Sequence, residues 1–177
     1  MAMGIKTHTP LLPSLKNIAP IVQAPGASFV TLEINERLRG CIGSLEPKRE
    51  LLVDIASNAF AAAFHDPRFS PVDTQELLLL HVTVSVLSKP ERLVCEDEAD
   101  CLRKLNPGVD GLIISEKNKH ATFLPSVWSS LSTPQRFLTA LKKKAGFATD
   151  YWSANIQVSR YTTEHLSAEY AEFIDEN

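Results

Sequence analysis

Residues 28–45 read SFVTLEINERLRGCIGSL, and the architecture follows from how this stretch folds. Two runs rich in apolar and β-branched side chains, 28–34 and 38–45, flank the polar residues Asn35, Glu36 and Arg37, which predicts a β-hairpin closed by a three-residue loop. Downstream, Pro47 opens a stretch in which Leu51, Leu52, Ile55, Ala59, Ala62 and Ala63 recur at helical spacing, ending before His65, Asp66 and Pro67. The alanines suit close packing of that helix on a sheet. From 78 to 87 the period changes to two: Leu80, Val82, Val84 and Val86 alternate with His81, Thr83 and Ser85, as in a half-buried strand. Upstream, Pro10, Pro13, Pro20 and Pro25 break the chain and leave 14–22 as the only room for a short helix.

The same order of elements returns in the second half. An acidic loop at Glu96, Asp97 and Glu98 leads to a short helix carrying Cys101, Leu102 and Leu105, which stops at Asn106, Pro107 and Gly108. A second hairpin follows, 112–115 and 120–124 about a polar turn at 116–119. Thr133 and Pro134 are the N-cap and first residue of a second major helix, Phe137, Leu138 and Leu141 its apolar face, and Gly146 its C-cap. Residues 156–161 read as a last strand and 167–177 as an acidic helix or frayed tail. The predicted fold is therefore α+β, with internally duplicated hairpin, helix and strand units. Residues 1–27 form an N-terminal extension, 28–166 the domain and 167–177 the tail.

A chain of 177 residues has the length of one domain and can bury a core without disulfide or metal staples. A hydrophobic share of 44% against 22% charged residues excludes a disordered chain. With 18 basic and 21 acidic residues the net charge is -3, which argues against a nucleic-acid partner. No apolar run reaches the roughly 18 residues needed to cross a bilayer, and the first ten residues lack a secretory pattern, so no membrane partner is expected and the protein reads as cytoplasmic. Cys41, Cys95 and Cys101 are odd in number and irregular in spacing, as expected of free thiols in a reducing compartment. There is no CxxC, HxxxH or HExxH pattern and no glycine-rich phosphate loop, so neither a metal nor another cofactor is predicted.

Within the first hairpin, strand alternation places Arg39 and Cys41 on one face about 7 Å apart. Positive charge beside a thiol favours the thiolate, the nucleophilic form. Gly40 and Gly43 add a hint of a ligand, since glycine weakens a strand unless something needs its space. A purely structural account stands beside this one. If Ile34 pairs with Leu38, then Glu33 faces Arg39, Thr31 faces Cys41 and Phe29 covers Gly43, so that Arg39 serves an ion pair and Cys41 is a small apolar filler.

LRGCIG at 38–43 resembles the hallmark hexapeptide of the AMMECR domain, a family named after the AMME-syndrome chromosomal region. AAAFHDPRF (61–69), VSVL (84–87), PGVDGL (107–112), TFLPSVW (122–128) and KAG (144–146) are similar to its further signatures, in the expected order. The resemblance implies an α+β domain with internal duplication, a larger and a smaller lobe around mostly antiparallel sheet, and a hexapeptide that marks an active or binding site. It carries no assigned reaction. It also implies association with a Memo-like protein, itself similar to metal-dependent dioxygenases, and with a radical-SAM protein.

Other residues are weaker candidates. Asp66 and Arg68 flank Pro67 and are expected either to line a ligand site or to rigidify a turn. His81 is a base only if Cys41 lies within hydrogen-bond reach. Lys142, Lys143 and Lys144 suit the last turn of a helix through its dipole. Two functions are thus expected of the Cys41 and Arg39 region: an enzyme or enzyme subunit binding a small anionic molecule, with Gly40, Gly43, Asp66 and Arg68 as ligand-binding residues, or a non-catalytic module that docks on Memo-like and radical-SAM partners.

Overall fold

A computed structural model of the chain describes residues 5, 7, 9–11 and 19–173. Of the predicted helix at 14–22, residues 14–18 lie outside the described residues, and Pro20–Gln23 forms one short helix, α1. The end of the predicted tail, 174–177, also lies outside them. The strands are β1 (Pro25–Gly26), β2 (Ser28–Ile34), β3 (Arg37–Gly43), β4 (Arg49–Glu50), β5 (His81–Leu87), β6 (Glu91–Arg92), β7 (Gly111–Glu116), β8 (Lys119–Phe123), β9 (Gln157–Tyr161) and β10 (Thr163–Glu169). The longer helices are α2 (Leu51–Phe64), α3 (Glu98–Lys104) and α4 (Pro134–Lys144). The fold is α+β, and the described chain divides into two compact units.

The first unit runs to Leu87 and resumes at Glu164. Its four-stranded sheet has the order β10-β5-β2-β3. Along β2, Ser28, Val30 and Leu32 are buried while Phe29, Thr31 and Glu33 are only half-buried, which is the period-two signature of a sheet with one face on the core. Val30 and Leu32 meet Ala62 and Ala63 of α2, with Val72, Leu77 and Leu80 completing the cluster. Gly40 makes this close approach possible: a Cβ there would lie 2.1 Å from the Ala62 carbonyl oxygen. The buried Asp54 carboxylate ties α2 to the hairpin, accepting from Ser28 N, Ser28 Oγ, Ser44 Oγ, Asn58 Nδ2 and Arg49 Nε at 2.7–2.9 Å.

The hairpin departs from expectation in two places. Its loop has two residues, Asn35 at φ 50 and Glu36 at φ 61, so that Ile34 pairs with Arg37 and not with Leu38. Positive φ at both positions gives the turn that follows the natural strand twist. The register then shifts: Glu33 pairs with Leu38 but Leu32 with Gly40, leaving Arg39 as the extra residue of a β-bulge. Beyond the bulge the expected pairs, Thr31 with Cys41 and Phe29 with Gly43, are in place. The strand predicted from 78 begins at His81, which pairs with Glu33; Leu77–Leu79 form a tight turn with Leu77 buried.

The second unit spans Ser88–Thr163, with the sheet order β6-β9-β7-β8. Thr133 Oγ caps α4 by accepting from Arg136 N, Pro134 stands first in the helix, and Gly146 at φ 80 ends it, as predicted. Phe137, Leu138 and Leu141 are fully buried, and Phe137 stacks on Trp128 with centroids 3.9 Å apart. The duplication is visible in the topology: in each unit the first hairpin strand lies between its hairpin partner and a later strand, β2 between β3 and β5, β7 between β8 and β9. The units have one four-stranded sheet each.

The acidic helix or tail predicted at 167–177 is corrected over 167–169, which belong to a strand. Thr163–Glu169 is a strand and Tyr170–Phe173 a short turn of helix. The strand is a largely exposed edge joined to β5 by polar side-chain pairs: His81 Nδ1 with Glu169 Oε1 at 3.0 Å, Thr83 Oγ with Ser167 Oγ at 2.8 Å, and Ser85 Oγ with His165 Nδ1 at 2.9 Å.

Candidate functional site

Cys41 lies in the edge strand β3, half-buried, opposite Thr31. Its thiol sulfur accepts from Thr31 Oγ at 3.4 Å. Its backbone groups are taken up outside the ladder. Cys41 N donates to Asp66 Oδ2 at 2.8 Å, and Arg68 Nη2 donates to the Cys41 carbonyl at 3.3 Å. The turn after α2 thus stands where a further strand would pair, which protects the edge. Asp66 itself is buried and holds Arg68 by two bonds, from Nε to Oδ1 at 2.9 Å and from Nη2 to Oδ2 at 2.7 Å. The Arg68 hydrogen bond first, with the Cys41 and Arg68 backbone N–H groups, holds the Asp66 carboxyl well below the usual carboxylate range against the cost of burial. Arg68 is half in water, and its own raised pKa stems first from Asp66 and in smaller part from Cys41. The guanidinium that reaches Cys41 is therefore that of Arg68, at the main-chain carbonyl.

Arg39 is placed differently from the sequence expectation. It does not pair with Glu33, because the bulge re-aims it; Nε and Nη2 donate to Glu76 Oε1 and Oε2 at 2.6 and 2.8 Å. This pair is largely buried, and Arg39 Nη1 is buried with no hydrogen-bond partner. The Glu76 bond raises the Arg39 pKa and lowers that of Glu76. The Phe69 ring lies beneath both guanidinium groups, 6.0 Å from Arg39 and 5.4 Å from Arg68.

The remaining sequence candidates divide. Asp66 and Arg68 join Cys41. The space that Gly40 leaves is filled by the Ala62 carbonyl, and that of Gly43 by the Phe29 ring, which a Cβ would meet at 2.2 Å. His81 is not brought to Cys41: it pairs across the sheet with Glu33 and bonds to Glu169. With Glu33, Asn35, Glu36, Leu79 and Glu169 it lines a cavity of about 450 Å³. Glu76 is the site residue that sequence reasoning missed, and no local pattern marks it, since it lies 37 positions from Arg39. Cys95 and Cys101 belong to the second unit, and burial pushes both thiols above their ordinary values. Among the described residues no group of three or more His, Cys, Asp or Glu side chains could hold a metal, and no helix is long and apolar enough to cross a membrane.

Comparison with known proteins bears on the same chain. A protein of Saccharolobus islandicus is 37% identical over 153 residues, and one of Methanothermobacter thermautotrophicus is 38% identical over 138 residues. The alignments take in 80% and 77% of this chain and 66% and 72% of those proteins, so the chain spans just under two thirds of the first relative's length. The crystal structure of uncharacterized protein PH0010 from Pyrococcus horikoshii superposes with a TM-score of 0.84 at 32% identity, covering 96% of this chain and 86% of that one. The family profile described as AMMECR1 matches residues 2–166, and the chain belongs to that family.

Proposed function

We propose that the chain is an enzyme or enzyme subunit that binds a small anionic molecule beside Cys41. One observation carries this reading: LRGCIG and AAAFHDPRF, distant in sequence, meet at Cys41, whose main-chain N–H and C=O are held by Asp66 and Arg68 while its half-buried thiol sits on the same strand. Cys41 is the nucleophile or proton donor, and Arg68, held by the buried Asp66, orients the anionic group of the substrate. Arg39 acts from below through Glu76 and Phe69 and keeps the bulge in place. The test is competitive alkylation of the folded protein. Cys41 should react faster than Cys95 and Cys101, and should favour iodoacetate over iodoacetamide more than a free thiol does. Arg68→Gln should remove that preference. Equal reactivity of the three thiols, or a preference unchanged in Arg68→Gln, overturns the reading.

A second reading has an observation of its own, namely that both guanidinium groups already have carboxylate partners and His81 is engaged elsewhere. On this reading the surface docks on Memo-like and radical-SAM partners without chemistry. Cys41→Ser then spares biological activity, whereas Arg68→Glu abolishes recovery of a partner.

A further inference from the structure

The second unit carries a cavity of about 490 Å³ that the Cys41 site does not use, lined by Glu116, Lys117, Asn118, Lys119, Phe147 and Tyr151. It falls within the size range of small-molecule sites. It lies where the tip of the β7–β8 hairpin meets the segment that follows Gly146, just beyond the end of α4.

Its wall is aromatic and fixed. The Phe147 and Tyr151 rings are parallel to within 2°, with centroids 5.1 Å apart. Phe147 is almost wholly buried, so Tyr151 presents the more accessible of the two rings. Tyr151 cannot swing freely, because its hydroxyl donates to Glu116 Oε2 at 2.8 Å, and Ser153 Oγ donates to the same oxygen at 2.9 Å. The acidic residue of the cavity is thereby engaged in holding the wall.

Its rim is cationic. The Lys119 ammonium sits 5.0 Å over the Phe147 ring and donates to the Gly146 carbonyl. Lys117 and Asn118 are exposed and make no hydrogen bond or ion pair among the described residues. Lys117 also has φ 54 at the first of the two turn residues, a backbone state that such turns ordinarily give to glycine or asparagine.

A flat aromatic wall with two ammonium groups and an amide at its mouth fits an occupant of complementary shape and charge. We propose that this cavity is a second binding site, taking a small aromatic carboxylate whose ring lies against Tyr151 and whose carboxylate meets Lys117 and Asn118. The site is separate from Cys41, and neither proposal rests on the other.

The probe is 2-naphthoate, titrated into the full chain and followed by backbone amide chemical shifts, with 2-naphthamide as the neutral control. Saturable binding with a Kd on the order of 1 mM or tighter is expected, with shifts confined to 116–119 and 147–151. The amide should bind at least about fivefold more weakly. Lys117→Gln, an exposed change that leaves the core untouched, should weaken naphthoate by a similar factor and leave naphthamide unchanged. Tyr151→Leu should weaken both. The proposal is overturned if naphthoate shifts none of these amides at about 5 mM, or if Lys117→Gln binds it as the unaltered chain does.

Discussion

Asp66 concentrates several demands in one carboxylate, which accepts from Cys41 N, Arg68 N and the Arg68 guanidinium while its side chain is 1% exposed. Asp66→Asn keeps the shape but removes the charge that the guanidinium and backbone donors face. The loss should destabilise the protein by about 1–3 kcal/mol at neutral pH in urea unfolding. The pH dependence has a definite sign. A carboxyl whose folded pKa is depressed contributes stability above its ordinary range, and that contribution disappears as pH falls toward the folded value. The gap between the unaltered chain and Asp66→Asn should therefore be constant above about pH 5 and narrow steadily below about pH 4. A gap that does not narrow on acidification would mean that the charge of Asp66 is not what holds the turn to the strand.

Among the elements, α3 and α4 are joined by an ion pair with its cation fully buried: Lys142 Nζ donates to Glu98 Oε1 and Oε2 at 2.8 and 2.9 Å and to the Tyr151 carbonyl at 3.3 Å. Glu98→Ala leaves that ammonium uncompensated and should cost about 3–5 kcal/mol, whereas the double change Lys142→Met with Glu98→Gln should recover most of the loss. A thermodynamic cycle of Glu98→Gln, Lys142→Met and their double change measures the coupling, and an additive result would show that the pair is uncoupled. The three lysines also illustrate what the sequence carried. Their place in the last turn of a helix was legible, yet Lys142 lies four residues after Leu138 and so on the buried face, while Lys143 is exposed. Both major helices and both hairpins were legible because each has a one-sided apolar period. β10 was not, since its seven residues TEHLSAE have no apolar alternation and it is an edge held by polar pairs. At the candidate site, Cys41, Asp66 and Arg68 were legible from the motifs. Arg39 was misplaced because strand alternation assumes an unbroken ladder, and one bulge residue reverses it.

Across the whole molecule, the path of the chain matters as much as its elements. It leaves the first unit after Leu87, builds the second, and returns at Glu164 so that β10 can close the first sheet against β5. The first unit is thus complete only when the far end of the chain arrives, whereas the second is assembled from one continuous segment. Beyond the three side-chain pairs, Tyr170 N donates to the Leu80 carbonyl at 2.8 Å and anchors the end of the returning strand. Removing everything after Thr163 turns β5 into an edge and leaves its outward N–H and C=O groups to water. The effect should be local, because cooperative units open separately when their contacts are mostly internal. Amide exchange in His81–Leu87 should accelerate at least tenfold, about 1.4 kcal/mol of lost protection, while Gly111–Glu116 and Gln157–Tyr161 keep their rates. The Cys41 thiol, separated from β10 by two strands of the same sheet, should become more accessible to alkylation as the sheet loosens. Uniform acceleration in both units would instead mean that the chain unfolds as a single cooperative body and that the returning strand secures all of it.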